Sequence, residues 1–459
     1  MSVPVRRRTA AVVGGVAAAL LLAACGSSSG GGSSSASSAS ATNTDPACAA
    51  YAQYGSHPGT SVSVFTSILP PEQQKYEQSW AAFEKCTGIT VKYEGSSQFE
   101  ALLPTRIAGG QAPDIAFIPQ PGLLAKIVSG ANPPKAAPAG VASNVDKYWN
   151  PAWKTYGTVD GTFYAAPLSS NMKSFVWYSP KTFTAKGYKV PTTWDELWTL
   201  SDKMAADGTK PWCGGIGSGG ATGWLATDWL EETVMRQSGG DVYDKWISHE
   251  IKFDSPEITK AMDQVAAWMK NDKYVNAGIG NVASIATTTF QNGGKPILDG
   301  KCGMYQQASF YAAQWPSFKK DVKIAADGDV FAFYLPSIDP AKKSVEGGGE
   351  FVTAFADRPE VQAFQTYLSS AEWATIKVKL GGWTSANSGV PADAYSDAIN
   401  ALSAKYLTDP SALFRFDASD LMPAAVGSGA EWTQLTAWFA SNKPTKDVLD
   451  AIDAAWPAS

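Results

Sequence analysis

Between Val62 and Ile118 the chain switches repeatedly between two hydrophobic periods, and that alternation limits its fold more than any other feature. Val62 and Val64 alternate with polar residues and run into Phe65 and Thr66, the two-residue period of a strand. Pro71 then opens a helix, where its missing N–H costs nothing, and Tyr76, Trp80 and Phe83 recur on one helical face. Ile89 to Tyr93 is rich in β-formers. Phe99, Leu102, Leu103 and Ile107 mark a second helix, Gly109-Gly110 ends it, and Asp114 to Ile118 makes a third strand. A β-α-β-α-β order implies parallel strands covered by helices, a doubly wound α/β sheet.

In open sheets of this kind ligands sit beyond the carboxyl ends of the strands. Those ends are Thr66-Ser67, Glu94 to Gln98 and Pro119-Gln120. None is a Gly-x-Gly-x-x-Gly turn and the chain holds no P-loop, so no nucleotide cofactor is expected. At 459 residues the chain is too long for one ordinary core, which implies two lobes. A net charge of −5 leaves no basic surface for nucleic acid. Two histidines, His57 and His249, exclude a multi-histidine metal centre, and no metal site is expected. The 17 tryptophans must either fill cores or face a ligand.

A second region starts near Ala166. Thr193-Trp194-Asp195-Glu196 fits a capping box, with Leu197, Leu200 and Met204 on the buried face and Gly208 past the end. Gly214 to Gly223 is a glycine-rich loop that permits close backbone approach, and it runs into Trp224 and a helix around Trp229. Phe331 to Leu335 reads as a strand and Val361 to Leu368 as a helix, with helices dominating to the end.

The N-terminus sets the compartment. Arg6-Arg7-Arg8 precedes 15 uncharged, mostly apolar residues, Ala10 to Ala24, an export signal too short for the roughly 20 residues of a spanning helix. Leu22-Ala23-Ala24-Cys25-Gly26 resembles the lipobox of bacterial lipoproteins, which implies residues 1–24 as signal peptide and Cys25 as the lipidated first residue. Gly26 to Thr44 is almost wholly Gly, Ser, Ala, Thr and Asn and cannot order itself, so 25–60 reads as a tether. Within it Gly26-Ser27-Ser28-Ser29-Gly30 imitates a hydrolase elbow without the strand and helix that motif needs. The body is expected outside the cell, held to the outer face of the membrane only by lipid. Cys48, Cys86, Cys213 and Cys302 remain, an even count that favours disulfides in an exported chain and leaves three connectivities open.

Several segments, in order, resemble the extracellular solute-binding proteins of ABC importers, in particular the maltose-binding-like carbohydrate group. Phe83-Glu84-Lys85-Cys86-Thr87-Gly88-Ile89-Thr90-Val91 and Gly109-Gly110-Gln111-Ala112-Pro113-Asp114-Ile115 come first. Gly161 to Pro167, Asn171-Met172-Lys173 and Trp177-Tyr178 resemble the passage between lobes, and Pro191 to Leu197 the family's helix start. Thr222-Gly223-Trp224 with Asp228-Trp229, and Phe414 to Asp417 with Asp420 to Pro423, look like an α-glucoside-binding branch.

The resemblance implies a two-lobed periplasmic-binding-protein-like (type II) fold, each lobe a doubly wound sheet with flanking helices, with three hinge crossings. One lobe would comprise 61–165 plus 303–370, the other 166–302 plus 371–459. Pairings Cys48–Cys86 and Cys213–Cys302 are then expected, because the alternatives would staple one lobe to the other; the segments around Cys213 and Cys302 also resemble that branch. It further implies a monomeric, non-enzymatic receptor for an α-glucoside or gluco-oligosaccharide, served by permease subunits with a cytoplasmic ATPase.

Sugars offer apolar ring faces, which suit aromatic side chains, and hydroxyls, which suit carboxylates and amides. Topology and the resemblance together nominate Gln98, Gln120, Asn171, Trp224, Asp228, Gln307, Glu350, Trp383, Arg415 and Asp417. Trp80, Trp198 and Trp268 sit at helical spacing and are assigned to core. Asp228 could instead cap its helix, Arg415 could pair with Asp417, and Asp114 reads as structural. The rivals are an exported glycoside hydrolase using a carboxylate pair such as Asp228 and Asp417, the same fold carrying a polyol, polyamine or peptide, and a surface adhesin.

Overall fold

The computed structural model describes residues 45–276 and 279–457; the signal segment and Cys25 lie outside them. Strand β1 (Ser61–Thr66) pairs in parallel with β2 (Thr90–Gly95) and β3 (Ile115–Ile118). Helices α1 (Glu72–Thr87) and α2 (Phe99–Ala108) make the crossovers. The sheet continues with Phe351–Ala354, antiparallel to β3, and ends with Ala165–Pro167. Alternation in β1 places Val62 and Val64 on one face with Trp80 and Phe83, and Phe65 on the other with Phe99 and Leu103. Leu102, expected on the buried face of α2, is 37% exposed; Phe99, Leu103 and Ile107 alone form the apolar stripe.

A second sheet runs Phe331–Tyr334, Phe175–Tyr178, Cys302–Gln306, Lys210–Trp212. It is mixed rather than uniformly parallel, since Phe175–Tyr178 is antiparallel to both its neighbours. Trp212, Trp229, Trp246 and Trp268 are buried against it, and Trp198 packs at the margin. Each such indole removes roughly 150–250 Å² from water, on the order of 5 kcal/mol gross. The capping box at Thr193 and Glu196 forms as read, with Leu197, Leu200 and Met204 inward. Both expected disulfides are present, Cys48–Cys86 and Cys213–Cys302.

A small third sheet, Leu413–Phe416, Ser344–Gly348, Asn171–Met172, stands where the chain passes between lobes. Strands change sheets after Pro167 and between Gly348 and Phe351, and the chain returns a third time before the helix Ala398–Leu407. These crossings correct the expected boundaries. Cys302–Gln306 and Phe331–Tyr334 hydrogen-bond to Phe175–Tyr178, so 303–335 belongs to the second lobe. The helix Ala371–Lys379 belongs to the first, where the Trp373 indole donates to Ser79 Oγ on α1 at 2.9 Å. The expected tether boundary at residue 60 is corrected too: Pro46–Tyr54 is helical and buries Tyr51 and Tyr54 against Phe83 and Tyr367. Among the described residues no helix is long and apolar enough to cross a membrane.

Candidate functional site

A cavity of about 330 Å³ lies between the lobes at the carboxyl ends of the first sheet. That is the small end of the roughly 300–1,000 Å³ typical of ligand pockets. On the first lobe it is bordered by Ser67 after β1, Ser97 after β2 and Gln120 after β3, the positions that parallel topology predicts. Glu72 and Glu100 reach it from the first turns of α1 and α2, where helix dipoles favour negative charge. Asn171 and Glu350 enter from the crossings.

The second lobe supplies a different surface. Gly223, at φ 115°, starts the helix Trp224–Ile247 so close to Trp432 that a Cβ there would overlap its backbone. Only glycine allows that start, and it brings Trp224 and Trp432 to the same cavity. Trp224 meets Phe290 and Phe310 at ring-centroid distances of 5.3 and 6.0 Å. The three rings form an apolar wall opposite the carboxyl groups.

Below this wall lies a buried charge network. The Lys173 ammonium donates to Asp228 Oδ1 at 2.7 Å and to Asp417 Oδ2. Desolvation opposes its charge, but Asp228, Asp417, Asp420 and Glu346 outweigh it and hold Lys173 well above its ordinary value. Asp417 caps the short helix Ala418–Leu421, accepting from the Asp420 amide at 2.7 Å and the Ser419 hydroxyl at 2.8 Å. Glu231 fixes the same turn by accepting from the amides of Ala418 and Ser419. Carboxylate oxygens of Asp228, Glu346 and Asp417 lie within 4.8 Å of one another, a spacing that would admit a cation. Lys173 already bonds two of the three, so the ammonium fills that role. Among the described residues Glu346 has no hydrogen-bond partner at either oxygen; desolvation, then Glu232 and Glu231, push its carboxyl well up.

Among the described residues, the cavity carboxyls of the first lobe, Glu72, Glu100 and Glu350, form no ion pair. Burial, then Glu350, raises Glu72 to about 8, and burial raises Glu100 and Glu350. Lys75 is spent on the Gly381 carbonyl, and Lys377 sits over the Tyr76 ring at 4.2 Å, its ammonium pulled down to about 7 by burial. Glu100 Oε2, Gln120 Oε1 and Asn171 Oδ1 are buried at the cavity without a partner. This wall asks a ligand for hydrogen-bond donors.

Of the nominated residues, Gln120, Asn171, Trp224, Glu350 and Asp417 border the cavity. Gln98 stands at its rim beside Gly220. Asp228 sits behind, 1% exposed and bound to Lys173. Three are elsewhere. Gln307 is turned inward, its Oε1 accepting from the Ala308 amide at 2.7 Å. Trp383 is in the core of the first lobe, its indole donating to the Tyr76 hydroxyl at 3.0 Å and its ring edge-on to Trp373. Arg415 forms a two-pronged pair with Asp244 and not with Asp417. Sequence reasoning missed Glu72, Glu100, Lys173, Phe290, Phe310, Asp420 and Trp432. The first two stand six and five residues past the strand ends, at the starts of the next helices, which a closer reading of the same topology reveals; the others depend on tertiary placement. Asp114 is structural as read, binding Arg358 and the Ser63 amide.

The profile of bacterial extracellular solute-binding proteins matches residues 69–375. The chain belongs to that family. The osmoprotective compounds-binding protein GgtB of Synechocystis sp. is 33% identical over 420 residues, covering 90% of this chain and 96% of that one. The α-glucosides-binding periplasmic protein AglE of Rhizobium meliloti is 33% identical over 412 residues, 87% of each chain. In fold, the chain is similar to the maltose-bound MalE3 of T. maritima, with a TM-score of 0.63 at 18% identity over 86% of this chain and 98% of that one. The bacterial solute receptor AcbH gives 0.70 at 18% identity, with the same two coverages. These likenesses establish a type II solute-binding fold.

Proposed function

We propose that the protein captures an α-glucoside between its two lobes and hands it, chemically unchanged, to the permease of an ABC importer. The observation that carries this reading is the division of one cavity into an aromatic wall and an acceptor wall. Trp224, Phe290 and Phe310 suit the C–H faces of a sugar ring, while Glu100, Gln120 and Asn171 accept from its hydroxyls. The relative AglE supports the linkage class by its name. Cys25 carries lipid in this reading and holds the protein outside the cell; mass spectrometry of the mature N-terminus tests that, an unmodified cysteine overturning it.

The hydrolase alternative loses its carboxylate pair. Asp228 and Asp417 are bridged by one ammonium, and Asp228 does not border the cavity. A polyamine remains a second reading, favoured by five carboxyl groups at the cavity: Glu72, Glu100, Glu350, Asp417 and Asp420. Titration calorimetry with trehalose, maltose and sucrose against spermidine and a dipeptide separates these. Heat from a disaccharide supports the proposal, and heat from spermidine or the dipeptide alone overturns it.

A further inference from the structure

We propose that the site takes a short ligand, about two sugar rings, and that a backbone clasp between the lobes sets this limit. The inference rests on the carbohydrate reading and adds ligand length to it. In the second lobe, the loop at Gly217 to Ala221 crosses to the turn after β2 in the first, where the Gly220 amide donates to the Ser97 carbonyl at 2.7 Å. Ser97 and Gly219 both border the cavity, so the clasp is itself part of the cavity wall. No sugar ring passes between two backbone atoms hydrogen-bonded at that distance.

The approach depends above all on Gly219. Gly219 holds φ 60°, and a Cβ on it would lie 2.6 Å from the Ser97 carbonyl oxygen. A Cβ on Gly220 would lie 3.2 Å from the same oxygen and 2.9 Å from Gln98 Oε1, the free end of a side chain that can swing aside. Two further bridges join the lobes beside the same cavity. Gln314 Nε2 donates to Glu72 Oε1 at 2.9 Å. Gly122, in the first turn of the helix Pro121–Val128, faces the Met422 carbonyl so closely that a Cβ would overlap it. With the cleft bridged in three places around about 330 Å³, a chain of four rings cannot extend through the clasped side while the bridges hold. A longer oligosaccharide would have to keep the cleft ajar and forgo the contacts made only on closure, which are what favour the closed state.

Titration calorimetry on the full chain with maltose, maltotriose, maltotetraose and maltohexaose, with trehalose and sucrose as further disaccharides, tests this. The expected result is a loss of at least about tenfold in affinity between two rings and four. Equal or tighter binding of maltotetraose overturns the proposal. In Gly219→Ala, disaccharide affinity falls about tenfold and the preference over maltotetraose narrows, while a cooperative urea unfolding transition is retained. If that variant keeps both the affinity and the length preference, the clasp is not the determinant and the proposal fails. Absence of heat from every sugar overturns the underlying carbohydrate reading, an outcome distinct from binding without length preference.

Discussion

The two walls of the cleft are made by different means. The first lobe builds its wall from the ends of parallel strands and the first turns of the helices that follow, and there Glu100 Oε2, Gln120 Oε1 and Asn171 Oδ1 reach the cavity without partners among the described residues. The second lobe builds an aromatic wall on a glycine-started helix and supports it with a buried lysine shared by two aspartates. The first wall keeps three acceptor oxygens open to a ligand, whereas Asp228 and Asp417 at the second are committed to Lys173. Changes to the first should therefore alter binding with little effect on folding, whereas changes beneath the second should alter folding.

Replacing Lys173 by Met breaks this contrast most severely. It leaves Asp228 and Asp417 buried without their cation, which costs about 3–5 kcal/mol. Urea unfolding should show that loss, whereas Glu100→Gln on the opposite wall should move stability by less than about 1 kcal/mol. Equal effects from the two substitutions would erase the proposed division of labour.

Trp224→Ala comes next. It removes the largest ring of the aromatic wall and should weaken sugar affinity by about 1–3 kcal/mol in calorimetry, with the unfolding transition retained. An unchanged affinity would make Trp224 a packing residue.

Glu72 sharpens the comparison through pH. Its carboxyl is raised from 4.5 to about 8, so the folded protein binds a proton there that the unfolded chain releases. The associated stability is complete below about pH 4.5 and disappears as pH rises through 8. Lys377, lowered to about 7, acts in the opposite sense by gaining stability as pH rises. Glu72→Gln isolates the first contribution. The wild type should lose about 1–2 kcal/mol relative to the variant between pH 5 and 8, a figure discounted because Glu72 borders the cavity and is only half-buried. Parallel stability curves for the two proteins would place the proton elsewhere.

These contrasts also explain what the sequence revealed. Strand and helix periods in 61–118 located β1 to β3, and topology alone pointed to Ser67, Gln98 and Gln120 at or beside the cavity. The capping box and glycine loop were equally legible, because both are local signals. Trp383 was not: it follows two glycines, as a ligand-stacking residue would, yet Gly381 and Gly382 at φ 72° and 68° turn it back into the core beside Trp373. Lys173 was read only as part of a motif, since nothing local announces that Asp228 and Asp417, 55 and 244 residues away, will close on it. The boundaries at 303 and 371 failed for the same reason, because strand partners across the sheets cannot be read from one strand.

Arg415 gives the smallest effect. Two residues apart in an extended segment, Arg415 and Asp417 project to one side, which is why they look like a pair. The strand, however, ends at Phe416, and Asp417 becomes the cap of Ala418–Leu421 with its carboxylate turned toward Lys173. Arg415 stays on the outer side and meets Asp244, itself 49% exposed. An ion pair in such a setting contributes less than about 1 kcal/mol. Arg415→Ala should accordingly leave sugar affinity within about twofold of wild type and lower stability by less than about 1 kcal/mol. A tenfold loss of affinity would mean that the side chain reaches the ligand, and that the second wall extends beyond the Lys173 network.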